Sequence, residues 1–123
     1  MLNIRKIEIK INQTDFLPFN KMKVRLKKEI VSLGQGNIDV NKYRGKLLNT
    51  IEWNKIIRDR STNLIDVRNN FEIEIGTFKN AYNLKMKSFR DFPKRFEGLN
   101  LETNSNIAMY CTGGIRCEKA SAY

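Results

Sequence analysis

The apolar run Ile107-Ala108-Met109-Tyr110 leads directly into Cys111, which Thr112, Gly113, Gly114, Ile115 and Arg116 follow. A cysteine at the carboxyl end of a buried strand, then two glycines, an arginine and a helix start, makes a loop whose backbone N–H groups converge on one sulfur. Glycine at 113 and 114 permits the tight turn, the helix N-terminus adds partial positive charge, and Arg116 adds a full one. Such surroundings lower a cysteine pKa from about 8.5 into the ~3.5–7.5 range, so Cys111 is the best nucleophile in the chain. Only Thr112, Gly113, Gly114 and Ile115 stand between Cys111 and Arg116. That cradle is tight for a phosphoryl group and better suited to a sulfane sulfur, which favours persulfide chemistry over phosphatase chemistry. The competing reading is a buried structural cysteine beside an incidental Gly-Gly turn.

Other chemistries are poorly supplied. The chain has 123 residues, 2 cysteines and no histidine. Cys111 and Cys117 are too few for a disulfide scaffold, and without histidine no usual zinc set can form, so no metal site is expected. No stretch approaches the ~18 apolar residues of a membrane span and no leader pattern opens the chain, which reads as cytoplasmic. Lys+Arg number 23 against 13 Asp+Glu, a net charge of +10. Part of that excess reflects a bias towards Lys, Asn and Ile. The charge is nevertheless uneven: residues 1–60 hold 14 basic and 6 acidic residues, whereas 61–123 hold 9 and 7. A polyanion such as nucleic acid is the expected partner of the first half, the alternative being a solvated basic face.

The elements that must position Cys111 follow from periodicity. Ile7, Ile9 and Ile11 alternate with charged residues as in a half-buried strand, and Met22, Val24 and Leu26 alternate with Lys23, Arg25 and Lys27 in a second, with the cations facing outward. Residues 34–45 lack periodicity and read as a connection. Thr50 can cap a helix that places Trp53, Ile56 and Ile57 on one face. Residues 63–68, Asn-Leu-Ile-Asp-Val-Arg, read as a parallel strand whose carboxyl end faces a site, and Phe71 to Ile75 as a helical turn stopped by Gly76. Met86, Phe89, Phe92 and Phe96 suit one helical face interrupted at Pro93, with core packing favoured over base stacking for the aromatics. Residues 107–110 form a second buried strand, with a helix from Cys117.

In order and spacing, Leu64-Ile-Asp-Val-Arg68, Phe71-Glu72, residues 76–81 and the Cys111–Arg116 loop resemble a rhodanese domain. Ile51-Glu-Trp53, Asp66-Val-Arg-Asn69, Ile75-Gly-Thr-Phe78, Ser88-Phe-Arg-Asp-Phe-Pro93 and the string Met109 to Ala122 are similar, more narrowly, to the rhodanese-like tRNA uridine hydroxylases. Met22 to Val31 also resembles the end of that family's small N-terminal domain. The resemblance thus covers nearly the whole chain.

It implies an α/β fold: an incomplete rhodanese-like domain over 46–123, a parallel sheet flanked by helices, preceded over 1–45 by the last strands and linker of a small ferredoxin-like α+β domain. The chain is then expected to be truncated at both ends relative to the family. The implied activity is oxygen-dependent hydroxylation of the wobble uridine of tRNA to 5-hydroxyuridine, with molecular oxygen as co-substrate and no electron donor or metal indicated. Two alternatives accompany it: a catalytically empty basic tRNA-binding remnant, and a generic sulfurtransferase using a Cys111 persulfide. By the same resemblance Cys111 is the catalytic cysteine and residues 112–116 its anion cradle. Asp66 and Arg68 match the family's strand-end pair, Arg68 being read as a structural partner of Glu72 or Glu74. Cys117 is either a thiol that resolves an oxidised Cys111 or a buried helix residue. Lys23, Arg25 and Lys27 become candidates for tRNA phosphates, and a complementary fragment of the same enzyme is a possible partner.

Overall fold

The computed structural model describes residue 11 and residues 13–123. Its centre is a three-stranded, all-parallel sheet in the order β2-β1-β3, built from β1 (Thr62–Asp66), β2 (Tyr82–Asn83) and β3 (Asn106–Tyr110). β1 pairs along its whole length with β3, from Thr62 opposite Asn106 to Asp66 opposite Tyr110, and at its far end with β2. Leu64, Ile65 and Asp66 are all buried, as a central parallel strand covered on both faces requires. Both ladders run out at the same end, so Asp66 and Tyr110 lie side by side where the chain leaves the sheet.

Short helices cover the sheet. α1 (Val40–Tyr43) is followed by α2 (Thr50–Ile56), α3 (Asn70–Ile75), a 3-10 turn over Phe89–Asp91 that leads into α4 (Phe92–Glu97), and α5 (Ile115–Ala122). α2 is capped one residue earlier than expected, by Asn49 rather than Thr50, which is its first helical residue. The Asn49 side chain accepts from the backbone N–H of Ile51 and Glu52, and the Glu52 carboxylate accepts from that of Asn49, the reciprocal arrangement that satisfies otherwise orphaned donors.

Between 84 and 97 the structure departs from one interrupted helix. Leu84 and Met86 are buried while Lys85 and Lys87 are exposed, a period of two, and only from Phe89 does the chain coil. Pro93 lies in the first turn of α4, where its missing N–H costs nothing, so it starts a helix rather than breaking one. The aromatics do pack the core: Phe89 and Phe92 are buried and Phe96 stacks on Phe92.

The core joins Ile65 and Val67 to Leu84, Met86, Phe89, Phe92, Ala120 and Leu33. Leu33 is only 1% exposed, so the segment before the sheet contributes a core side chain. That segment is tied down by Lys119, which pairs with Glu29 at 3.2 Å and donates to the Val31 carbonyl at 3.1 Å. The stretch 34–45 is likewise more than a connection. It holds α1, which packs on α5, and Gly45, whose N–H donates to Ser121 Oγ at 2.9 Å.

The strand expected over 22–26 is absent: residues 22–27 form no regular element, and Met22, Val24 and Leu26 are as exposed as Lys23, Arg25 and Lys27. Alternation makes a strand only where a surface takes the apolar face and a neighbour takes the backbone groups, and among the described residues neither is present. The expected strand at 7–11 lies outside the described residues except for Ile11, which is exposed and irregular.

Candidate active site

Cys111 follows β3 directly, and the chain then turns at Gly114 into α5. Gly114 caps that helix with φ +81°, a left-handed conformation that a side chain disfavours. The turn folds the Gly114 N–H onto Cys111 Sγ at 3.1 Å. The Cys111 thiol is held well below the ordinary thiol range, at about 5. The largest cause is a hydrogen bond from the Cys117 thiol, with further help from the N–H groups of Cys117, Gly113 and Gly114, against the opposing effect of burial. Cys117 is pushed the other way, held protonated by donating to Cys111 and by burial. At neutral pH the loop holds one thiolate and one thiol in contact.

Arg116 belongs to a second arrangement. Its guanidinium forks onto Glu72, Nη1 to Oε2 at 2.6 Å and Nη2 to Oε1 at 2.7 Å. Glu72 also accepts from Thr112 Oγ1 at 2.7 Å and from the Asn69 N–H at 3.1 Å. Its carboxyl is pulled from 4.5 to about 2, chiefly by Arg116. The carboxylate thus anchors both ends of the Cys111 loop to the start of α3. Arg116 remains within electrostatic reach of the thiolate, but its ion-pair partner is Glu72.

The expected pairing of Arg68 with Glu72 or Glu74 is therefore corrected. Arg68 turns back onto Asp66, with Nη2 to Oδ2 at 2.7 Å and Nε to Oδ1 at 2.9 Å, and donates to the Gly76 carbonyl. Glu74 accepts instead from Asn70 Nδ2 at 2.6 Å. With only Val67 between them on an extended strand end, Asp66 and Arg68 project to the same side, so the nearest carboxylate wins. Asp66 is completely buried. Burial raises its pKa, but hydrogen bonds from Arg68, Tyr110 and Thr77 outweigh that and leave it lowered.

Tyr110, Thr77 and Phe78 carry no role in the sequence reading. Tyr110 OH donates to Asp66 Oδ2 at 2.6 Å and lies 2.7 Å from Thr77 Oγ1, while the Phe78 N–H donates to the phenol oxygen at 3.2 Å. The rings of Trp53, Phe78 and Tyr110 meet edge to face in a closed triad, with centroids 4.9–5.9 Å apart. The missed signal is positional: Tyr110 immediately precedes Cys111 at a strand end, where a large polar aromatic faces the site.

Beside them an open, shallow cleft of about 390 Å³ is lined by Arg68, Gly76, Thr77, Phe78, Tyr110, Cys111 and Thr112. Asp66 lies beneath it and Cys117 behind the sulfur. Lys23, Arg25 and Lys27 are not brought to it by any contact among the described residues. No group of three or more His, Cys, Asp or Glu residues that could hold a metal ion is found among the described residues. No helix among them is long and apolar enough to cross a membrane.

A parallel sheet with a cysteine loop opening at the carboxyl end of β3, beside the central β1, and a helix N-terminus next to the sulfur, defines a thiolate-bearing α/β domain. The rhodanese-like domain model matches residues 44–123, and the chain belongs to that family. It is 47% identical over 115 residues to a protein of Picosynechococcus sp. named tRNA uridine(34) hydroxylase, covering 93% of this chain and 39% of that one. A Rickettsia bellii protein of the same name is 42% identical over 123 residues, covering 99% and 50%. The chain thus spans half or less of the length of these relatives.

Proposed function

We propose that the chain takes part in tRNA modification, hydroxylating the wobble uridine to 5-hydroxyuridine with molecular oxygen as co-substrate and Cys111 as the catalytic residue. The observation that carries this reading is the similarity to two proteins named tRNA uridine(34) hydroxylase, which runs through the Cys111 loop and spans 93% and 99% of the chain. The cleft supports it by offering a thiolate beside exposed aromatic surface. Residues 112–116 hold the sulfur, Asp66 and Arg68 brace the floor, and Cys117 donates to the thiolate. Lys23, Arg25 and Lys27 supply phosphate contacts from the basic first half, in the cytoplasm where tRNA is modified. Since the chain spans half or less of its relatives, a complementary fragment of the same enzyme is the further partner this reading allows.

The test is nucleoside mass spectrometry of tRNA from cells that lack 5-hydroxyuridine and express the chain. The nucleoside is expected to appear with the native chain and to disappear with Cys111→Ser. Its presence at equal level with the variant overturns the reading. A second reading, sulfur transfer through a Cys111 persulfide, draws on the rhodanese-like family match. Thiosulfate-dependent thiocyanate formation from cyanide by the purified chain, without tRNA, separates the two.

A further inference from the structure

Resting on the hydroxylase reading, we infer that the cleft takes one pyrimidine ring of a single-stranded RNA loop against Phe78, and that Cys111 Sγ adds covalently to C6 of that ring. Three features of the cleft lead there. Phe78 is 42% exposed although its ring is fixed by edge contacts to Trp53 and Tyr110, which is a rigid flat platform rather than a core side chain. Among the described residues one cation lines the cleft, Arg68, and it is engaged by Asp66 and the Gly76 carbonyl. The walls therefore favour a neutral planar group over a phosphate. A cleft of about 390 Å³ has room for a single base, and stacking on an aromatic face is how unpaired bases are held.

The sulfur beside that platform is ionised at neutral pH, and a thiolate is the soft nucleophile that a conjugated C5=C6 bond accepts. In the step, the Cys111 lone pair forms the S–C6 bond and the C5=C6 π pair moves through C5 to O4, giving an enolate. No electron is gained or lost and no oxygen is consumed. A solvent proton at C5 gives the neutral saturated adduct. Loss of the other C5 hydrogen and expulsion of the thiolate return uridine, now carrying a solvent hydrogen. Addition makes C5 electron-rich, and C5 is the carbon hydroxylated in the proposed function.

The experiment uses the full chain, with oxygen excluded, and an anticodon stem–loop carrying tritium at C5 of the wobble uridine. Tritium is expected to pass into water, at least ~100-fold more slowly with Cys111→Ser, and with Phe78→Ala to need ~10-fold more RNA for half-maximal rate. Phe78→Tyr should restore the native dependence. As a second measurement, RNA with 5-fluorouridine at the same position should leave its mass on the Cys111 peptide. Hydroxylation in air, with no tritium release when oxygen is excluded and no adduct, overturns the inference and leaves the proposed function standing. Tritium release without hydroxylation in air supports the inference and overturns that function. Release that persists in Cys111→Ser also overturns the inference.

Discussion

Glu72→Gln should uncouple the Cys111 loop from α3 while keeping the shape of the side chain. The Glu72 carboxylate accepts two bonds from Arg116, at 2.6 and 2.7 Å, one from Thr112 and one from the Asn69 backbone. Its side chain is 17% exposed and that of Arg116 15%, so solvent screens the pair weakly. The fall in pKa from 4.5 to about 2 corresponds to roughly 3 kcal/mol between the ionised and protonated forms. Gln retains one carbonyl for the neutral donors but leaves a largely buried guanidinium without its counter-charge, so the expected loss near neutral pH is about 2–3 kcal/mol. The folded pKa lies below the unfolded one, so the contribution is fully present above pH 4.5 and is lost as pH falls towards about 2. The gap between native and variant should therefore hold constant above pH 4.5 and narrow below it. Urea unfolding reports this through Trp53, the single tryptophan, which touches Phe78 and Tyr110. A gap under ~0.5 kcal/mol near neutral pH refutes the reasoning, as does one that fails to narrow in acid. A double-mutant cycle with Arg116→Met should return a coupling of about 2 kcal/mol.

Cys117→Ala should raise the pH midpoint of Cys111 alkylation from about 5 by at least ~1 unit, and by more than Arg116→Met does, because the Cys117 thiol is the largest cause of the lowered value. Equal shifts in the two variants would return the leading role to Arg116. Since the folded Cys111 pKa is below the ordinary 9.0, native stability should rise with pH between about 5 and 9, and this slope should vanish in Cys111→Ala when Tm is followed across that range. Asp66→Asn leaves Arg68 facing a neutral amide in a fully buried position and should cost about 3–5 kcal/mol. Tyr110→Phe removes one donor and should cost about 1–2 kcal/mol, so equal losses in denaturant melts would contradict the ranking. Leu33→Ala should cost about 2–5 kcal/mol, and a loss below ~1 kcal/mol would mean that the segment held by Lys119 is not part of the core.

β1 and β3 are legible because each carries an apolar run, Leu64-Ile65 and Ile107 to Tyr110, whereas β2, the two exposed residues Tyr82 and Asn83, offers no such run and escapes the sequence reading. The turns were legible for local reasons as well: Gly76 ends α3, and Gly114 takes a φ that few other residues tolerate. What failed was alternation without a partner. Residues 22–27 carry the same period of two as residues 84–87, yet only the latter lie against a core, with Leu84 and Met86 buried and Met22, Val24 and Leu26 exposed. Periodicity states which side chains could share a face and says nothing about whether a surface exists to receive them.

The site divides along the same line. The loop from Cys111 to Arg116 is a contiguous motif, so the nucleophile and its backbone cradle could be read from the residues alone. The partners of its charged groups could not, because Glu72 and Arg116 are 44 residues apart and so are Asp66 and Tyr110. The parallel register of β1 and β3 brings each pair together. Assigning Arg68 to Glu72 is a local pairing of opposite charges that the structure replaces with Asp66, whereas Arg116 keeps its electrostatic reach to the sulfur and adds Glu72 as its ion-pair partner. The consequence is chemical. With Arg116 paired to Glu72, the thiolate is held mainly by the Cys117 thiol and backbone N–H groups. Hydrogen-bond donors of this kind lower the pKa without placing a net positive charge in the cleft, which leaves its open face to Phe78, Tyr110 and the reactive sulfur, a surface suited to a neutral ring rather than an anion.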